Sequence, residues 1–162
     1  LLRQPLVPIH RDLQSANIKL HNGKLSLIDF QGMRLGCAAY DLASLLYDPY
    51  QCHKRELRRE VWREYQRQVK ALGGDAPNDD VLYAAACQRL MQALGAYGKL
   101  LLQDKLEWYA QFIVPGLKML KEAAQESGKY PNMQKMAEKA ISIAQSYFDN
   151  TRKLAKKRTT RG

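Results

Sequence analysis

Apolar and polar residues alternate near the start of this chain and then settle into helical spacing. Ile18-Lys19-Leu20-His21 and Lys24-Leu25-Ser26-Leu27-Ile28 flank Asn22-Gly23, with apolar residues at nearly every second position. Period-two patterning marks strands, and Asn-Gly favours the type I′ turn, whose central residues both need positive φ. A β-hairpin is therefore expected, with Leu6, Val7 and Ile9 as an apolar lead-in. From Leu57 the steps become three and four. Val61, Trp62, Tyr65, Val69 and Leu72 share one helical face, opposite Glu60, Arg63, Glu64 and Arg67.

Gly73-Gly74-Asp75-Ala76-Pro77-Asn78 ends that helix, and Asn78 or Asp79 can cap the next. Residues 81–102 carry only Arg89 and Lys99 as charges, as a helix packed on several sides would. A further helix is expected from Lys105, broken at Pro115 by its ring and resuming to Glu126. Pro131 can open a last helix with Met133, Met136, Ala137, Ala140, Ile141, Ala144, Tyr147 and Phe148 on one face. That stripe reads as core rather than as a cofactor site. The fold class expected is mainly α with a small β-hairpin.

Composition narrows the function classes. The 162 residues are 46% hydrophobic and 26% charged, ordinary for a globular protein. Val81 to Leu102 is the most apolar stretch, but Gln88, Arg89 and Gln92 interrupt it, so no membrane span is expected. Cys37, Cys52 and Cys87 are odd in number and widely spaced, which argues against a disulfide framework and for a cytoplasmic location. Cys52-His53 are adjacent, not at metal-ligand spacing. The net charge of +10 is concentrated in Arg152, Lys153, Lys156, Lys157, Arg158 and Arg161. No aromatic residues interleave these cations as stacking platforms would, so a solvated helix end is expected in place of a nucleic-acid surface.

The chemistry lies at the two ends of the hairpin. His10-Arg11-Asp12-Leu13-Gln14-Ser15-Ala16-Asn17 precedes it and Asp29-Phe30-Gln31 follows it. Folding the hairpin brings Asn17 and Asp29 together at its open end. An aspartate that places an attacking hydroxyl, with an asparagine and a second aspartate to hold Mg²⁺ against ATP phosphates, is what a phosphotransferase requires. Magnesium prefers oxygen ligands and keeps several waters, so two protein oxygens suffice.

These residues, with Tyr40-Asp41-Leu42-Ala43-Ser44-Leu45-Leu46, resemble the aminoglycoside phosphotransferase and choline kinase superfamily, relatives of the protein kinases. Asp29-Phe30-Gln31, Tyr40 to Leu46 and Gln88-Arg89…Ala93-Leu94-Gly95-Ala96-Tyr97 look most like the bacterial cell-wall amino-sugar kinases, which phosphorylate C1 of N-acetylmuramate or N-acetylglucosamine. The resemblance covers residues 9–48 and extends more loosely over 81–102. Gln14 stands where many members carry histidine, and Gln31 where protein kinases carry the glycine of Asp-Phe-Gly.

The resemblance implies a kinase-like carboxy-terminal lobe using ATP and Mg²⁺, with Asp12 catalytic and Asn17 and Asp29 holding metal and nucleotide. It makes His10 a brace for the backbone around Asp29. Asp41 is expected to cap a helix or to support the loop from below. Gln31, Asp48, Gln88 and Arg89 are the candidates for reaching an acceptor, each also readable as an ordinary surface or core polar residue. Arg11 is given no regulatory role. The acceptor class is an amino sugar, with an aminoglycoside or choline as alternatives.

Residues 1–150 are expected to form the lobe, with the loop, hairpin and first helix in 1–48 and a helical subdomain in 54–150. Residues 151–162 are a basic tail. Pro5 and Pro8 precede the motif where a glycine-rich loop would be needed, so an amino-terminal lobe of the same protein is an expected partner. An interaction module that has lost catalysis, or a basic helical nucleic-acid binder, are the competing readings.

Overall fold

The computed structural model describes residues 4–159, with side chains through residue 151. Four short strands precede five helices: β1 (Leu6–Ile9), β2 (Ile18–His21), β3 (Lys24–Leu27), β4 (Arg34–Cys37), α1 (Ala38–Leu46), α2 (Arg55–Ala71), α3 (Asp79–Leu102), α4 (Ala110–Ser127) and α5 (Pro131–Thr159). The basic side chains from Arg152 to Arg161 lie outside the described residues. Among the described residues no helix is long and apolar enough to cross a membrane.

The expected hairpin is β2–β3, with Ile18 opposite Leu27 and Leu20 opposite Leu25. Asn22 has φ 49° and Gly23 φ 74°, the positive pair that Asn-Gly was expected to supply. A second antiparallel pair was not anticipated. The lead-in to the loop is itself strand β1, and β4 pairs with it, Ile9 opposite Arg34 and Leu6 opposite Cys37. Gly36 leaves room for the buried Ile9 side chain, since a Cβ there would stand 2.3 Å from Ile9 Cδ1. Neither segment has a distinctive period on its own, so only the pairing reveals it.

Small residues set the helical core. Ala39 and Ala43 of α1, Ala85 and Ala86 of α3, and Ala123 and Ala124 of α4 are all buried. Short side chains at facing positions let the helices approach closely, and Leu90 and Leu120 fill the space between α3 and α4. Asn78 caps α3, its side chain accepting from the Val81 amide at 3.2 Å. Along α5, Met133, Ala137, Ala140, Ile141, Ala144 and Phe148 are at least partly covered, whereas Met136 and Tyr147 are exposed.

Pro115 does not break its helix. The helix begins after a 3-10 turn at Glu107–Tyr109 and runs from Ala110 through Pro115 to Ser127. Proline there removes the donor for only one carbonyl, that of Gln111, close to the helix start. Packing supports the segment: a Cβ on Gly116 would meet Leu94 at 3.0 Å and Pro49 at 3.5 Å. Tertiary contact thus overrides local propensity.

Candidate active site

The chain leaving β1 turns sharply, and one carboxylate holds the turn. Asp41, in the first turn of α1, accepts from the His10 amide at 2.5 Å through Oδ2 and from the Arg11 amide at 2.8 Å through Oδ1. Arg11 sits at φ 73°, a left-handed conformation costly for a residue with a Cβ. Of the two placements open to Asp41, the structure shows these backbone bonds to the loop; the residue flanking the start of α1 is Cys37, which makes no side-chain cap.

His10 is buried, and its Nε2 lies 2.9 Å from the Ile28 carbonyl. A carbonyl only accepts, so Nε2 carries the proton. Nδ1 is buried without a partner among the described residues. The imidazole thus ties the turn to the residue just before Asp29. Arg11 makes a second tie, donating to the Gly32 carbonyl at 3.2 Å.

Asp12 is partly exposed and held from three sides. Its Oδ2 accepts from the Gln14 side-chain amide at 3.0 Å and from Asn17 Nδ2 at 3.1 Å. Its Oδ1 accepts from the Arg89 guanidinium of α3 at 2.5 Å. Arg89 is itself steadied by Ser44, to which its Nε donates at 2.9 Å.

Asn17 is buried and gives its amide nitrogen to the Asp12 carbonyl as well, at 2.9 Å. Both amide hydrogens are therefore directed at Asp12, and among the described residues no donor reaches the amide oxygen. The Ile28 amide donates to the Asn17 carbonyl at 3.0 Å, closing the open end of the hairpin and setting Asn17 beside the Ile28–Asp29 segment. Asp29 has φ 63°, again left-handed, and one of its carboxylate oxygens accepts from Gln31 at 2.6 Å.

The side chains of His10, Asp12 and Asn17 and the residue Asp29 therefore gather at one end of the hairpin, with Asp41 beneath. Two hard oxygens, from Asn17 and Asp29, suit Mg²⁺, which needs few protein ligands. Among the described residues no three His, Cys, Asp or Glu side chains cluster as a metal site.

The acceptor candidates separate. Arg89 reaches Asp12, and Gln31 reaches Asp29. Gln88 is exposed on α3. Asp48 is 1% exposed and faces inward. Its Oδ2 accepts from Ser15 N at 3.0 Å and Ser15 Oγ at 2.6 Å, and its Oδ1 from Tyr50 N at 2.9 Å. It anchors the loop, with both carboxylate oxygens committed to groups of the chain.

Gln14 had been noted only as a departure, yet it holds Asp12. Arg89, named among the acceptor candidates, pairs instead with Asp12; the signal for a partner was its isolation, since a charge in an apolar helix needs one.

Two comparisons with known proteins bear on this geometry. Residues 1–73 match the family model described as "Phosphotransferase enzyme family". The chain is also 31% identical over 114 residues, 67% of its length, to the N-acetylmuramate/N-acetylglucosamine kinase of Neisseria meningitidis. It spans about a third of that relative's length, 34%. The resemblance read from the sequence is shown by both matches, and both support a phosphotransferase.

Proposed function

Residues 1–73 match the phosphotransferase enzyme family, and on that premise we propose that this chain is the catalytic lobe of an ATP-dependent small-molecule kinase with an amino sugar as acceptor. The observation that carries the reading is the convergence at the hairpin's open end. Asp12 is held there by three separate donors, and Asn17 turns an uncommitted oxygen away from it.

In this reading Asp12 orients the acceptor hydroxyl and takes its proton late, because a loose transition state asks little of the nucleophile. Asn17 Oδ1 and the Asp29 carboxylate hold Mg²⁺, which when bound neutralises charge building on the phosphates. His10 and Asp41 fix the loop: one ties it to the Ile28 carbonyl, the other to successive backbone amides. The amino-sugar class draws its support from the relative's name.

An amino-terminal lobe of the same protein is part of the proposal. Ile18, Leu20, Leu25 and Leu27 share one face of the hairpin, and Leu20 and Leu25 are 71% and 73% exposed. A ribbon with one apolar face left open is a docking surface. The lobe that covers the nucleotide would seat there, so this polypeptide alone is expected to consume ATP poorly.

The test is a screen of the full-length gene product with Mg·ATP against N-acetylglucosamine, N-acetylmuramate, aminoglycosides and choline. Phosphorylation of an amino sugar, abolished in Asp12→Asn, supports the proposal. Phosphorylation of none of these acceptors overturns it. The readings as an interaction module or a nucleic-acid binder are not favoured by either match.

A further inference from the structure

Arg89 is only partly spent on Asp12. Its Nε donates to Ser44 Oγ at 2.9 Å and its Nη2 to Asp12 Oδ1 at 2.5 Å. Nη1, which carries two N–H groups, meets no acceptor among the described residues, yet it is not a buried atom left without a partner. It is therefore open to solvent, on a side chain only 19% exposed. A guanidinium is always charged and planar, so holding Nε and Nη2 also fixes where Nη1 stands.

That free corner lies next to the reacting position. Any hydroxyl that donates to Asp12 Oδ1 comes within about 5 Å of Nη2, because both hydrogen bonds meet at one oxygen. Another substituent on the same sugar ring can then meet Nη1. The surroundings favour an anion there. Residues 81–102 of α3 contain no Asp or Glu, and Gln88 and Gln92, the exposed polar neighbours of Arg89, are uncharged. Asp41 spends its two oxygens on the His10 and Arg11 amides, and Asp48 spends its two on Ser15 and Tyr50. Asp29 is assigned to the metal in the reading above. Asp12 itself loses its charge when it takes the proton, which leaves the guanidinium without a counter-ion unless the acceptor brings one.

We propose that Arg89 binds a carboxylate on the acceptor, Nη2 holding Asp12 while Nη1 holds the acceptor's anion, so that the preferred acceptor is an acidic amino sugar. This rests on the phosphotransfer reading and deepens it to a choice among acceptors. A guanidinium bond to a carboxylate is shorter and about twice as strong as one to a neutral oxygen. An acceptor with no group in that place leaves Nη1 to water, and one with a cation there is repelled. One side chain thus sets the reacting carboxylate and selects what reacts with it.

The test uses the full-length gene product and two sugars that differ only by a lactyl ether bearing a carboxylate, N-acetylmuramate and N-acetylglucosamine. With Mg·ATP saturating, the wild type should favour N-acetylmuramate about tenfold or more in kcat/KM, the worth of one hydrogen bond between charged groups. Arg89→Gln loosens Asp12 and slows both reactions, but the ratio between the sugars should fall to about one. A residue that only positioned Asp12 would leave that ratio unchanged. Calorimetric titration of both sugars without nucleotide should show the same preference and the same loss. The methyl ester of N-acetylmuramate keeps the substituent and removes its charge, so it should bind the wild type like N-acetylglucosamine. Where Arg89→Gln does not fold, acid against ester on the wild type decides. A wild type that binds the two sugars equally or binds neither, a ratio that survives in Arg89→Gln, or an ester that binds as well as the acid overturns the proposal. The phosphotransfer reading fails on a different result. Acid-selective binding that depends on Arg89, with neither sugar phosphorylated, sinks phosphotransfer alone. Phosphorylation of both sugars with equal efficiency sinks only the carboxylate contact.

Discussion

Arg89 and Asp12, 77 positions apart, meet through a 2.5 Å guanidinium–carboxylate contact that fastens helix α3 to the loop after β1. The pair is partly solvated, with side-chain exposures of 19% and 39%, so it orients more than it stabilises. Geometry is where its value lies. Arg89→Ala is expected to lower kcat about 10- to 100-fold in the full-length protein, because misplacement of a reacting group by even 1 Å is that costly. Arg89→Lys should recover only part, since a point charge does not reproduce the fork that also reaches Ser44. Steady-state kinetics with ATP held saturating checks both.

Asp12→Asn should cost about 10²- to 10⁴-fold in kcat, the range for loss of a positioned proton acceptor. Mg·ATP affinity should hardly change. Asn17→Ala and Asp29→Ala should instead weaken binding of Mg·ATP, and calorimetric titration separates the two patterns.

Asp48 is an anchor, and its loss should be felt as stability. Asp48→Ala would strand the Ser15 amide, the Ser15 hydroxyl and the Tyr50 amide, costing about 3 kcal/mol or more given that bonds to a charged acceptor are worth roughly 1.5–3 each. Denaturant unfolding monitored by circular dichroism should show a lower midpoint at an unchanged slope.

The tyrosines predict an alkaline limit. Burial raises the phenols of Tyr47, Tyr50 and Tyr97, most strongly Tyr47 and Tyr97. Above about pH 10 the unfolded chain releases protons that the folded chain still holds. Stability is therefore fully present below that pH and declines as pH rises past it. Thermal melts across that range, read beside tyrosinate absorbance, should show the phenols ionising as the protein unfolds.

The thiols should separate cleanly. Cys37 and Cys87 are buried, and burial pushes the Cys87 thiol up to about 11. Cys52 is exposed, though partial desolvation raises it too. A thiol reagent should label Cys52 in the native protein and reach Cys37 and Cys87 only after denaturation.

Local physics was legible without coordinates wherever a short stretch carried its own reason. Asn22-Gly23 demanded positive φ twice, and Asn78 offered an oxygen to an orphan amide, so the hairpin and the α3 cap were readable from composition and spacing. Asp12, Asn17 and Asp29 could be named as candidates because their types and spacing suit phosphoryl transfer, and His10 because the segment resembles a known family's loop. The hairpin that joins them is local.

Tertiary structure decided what depends on distant partners. The pairing of β1 with β4 sets Gly36 opposite Val7, with the Ile9 side chain in the space a Cβ would take, and Pro115 stayed helical because α4 packs on α3 through Gly116. Arg89, Gln14 and Asp48 became parts of the site only when folding laid α3 and the end of α1 against the loop. A period of two or three to four residues reports which face of an element is apolar; it carries no information about which polar group on another element that face will meet.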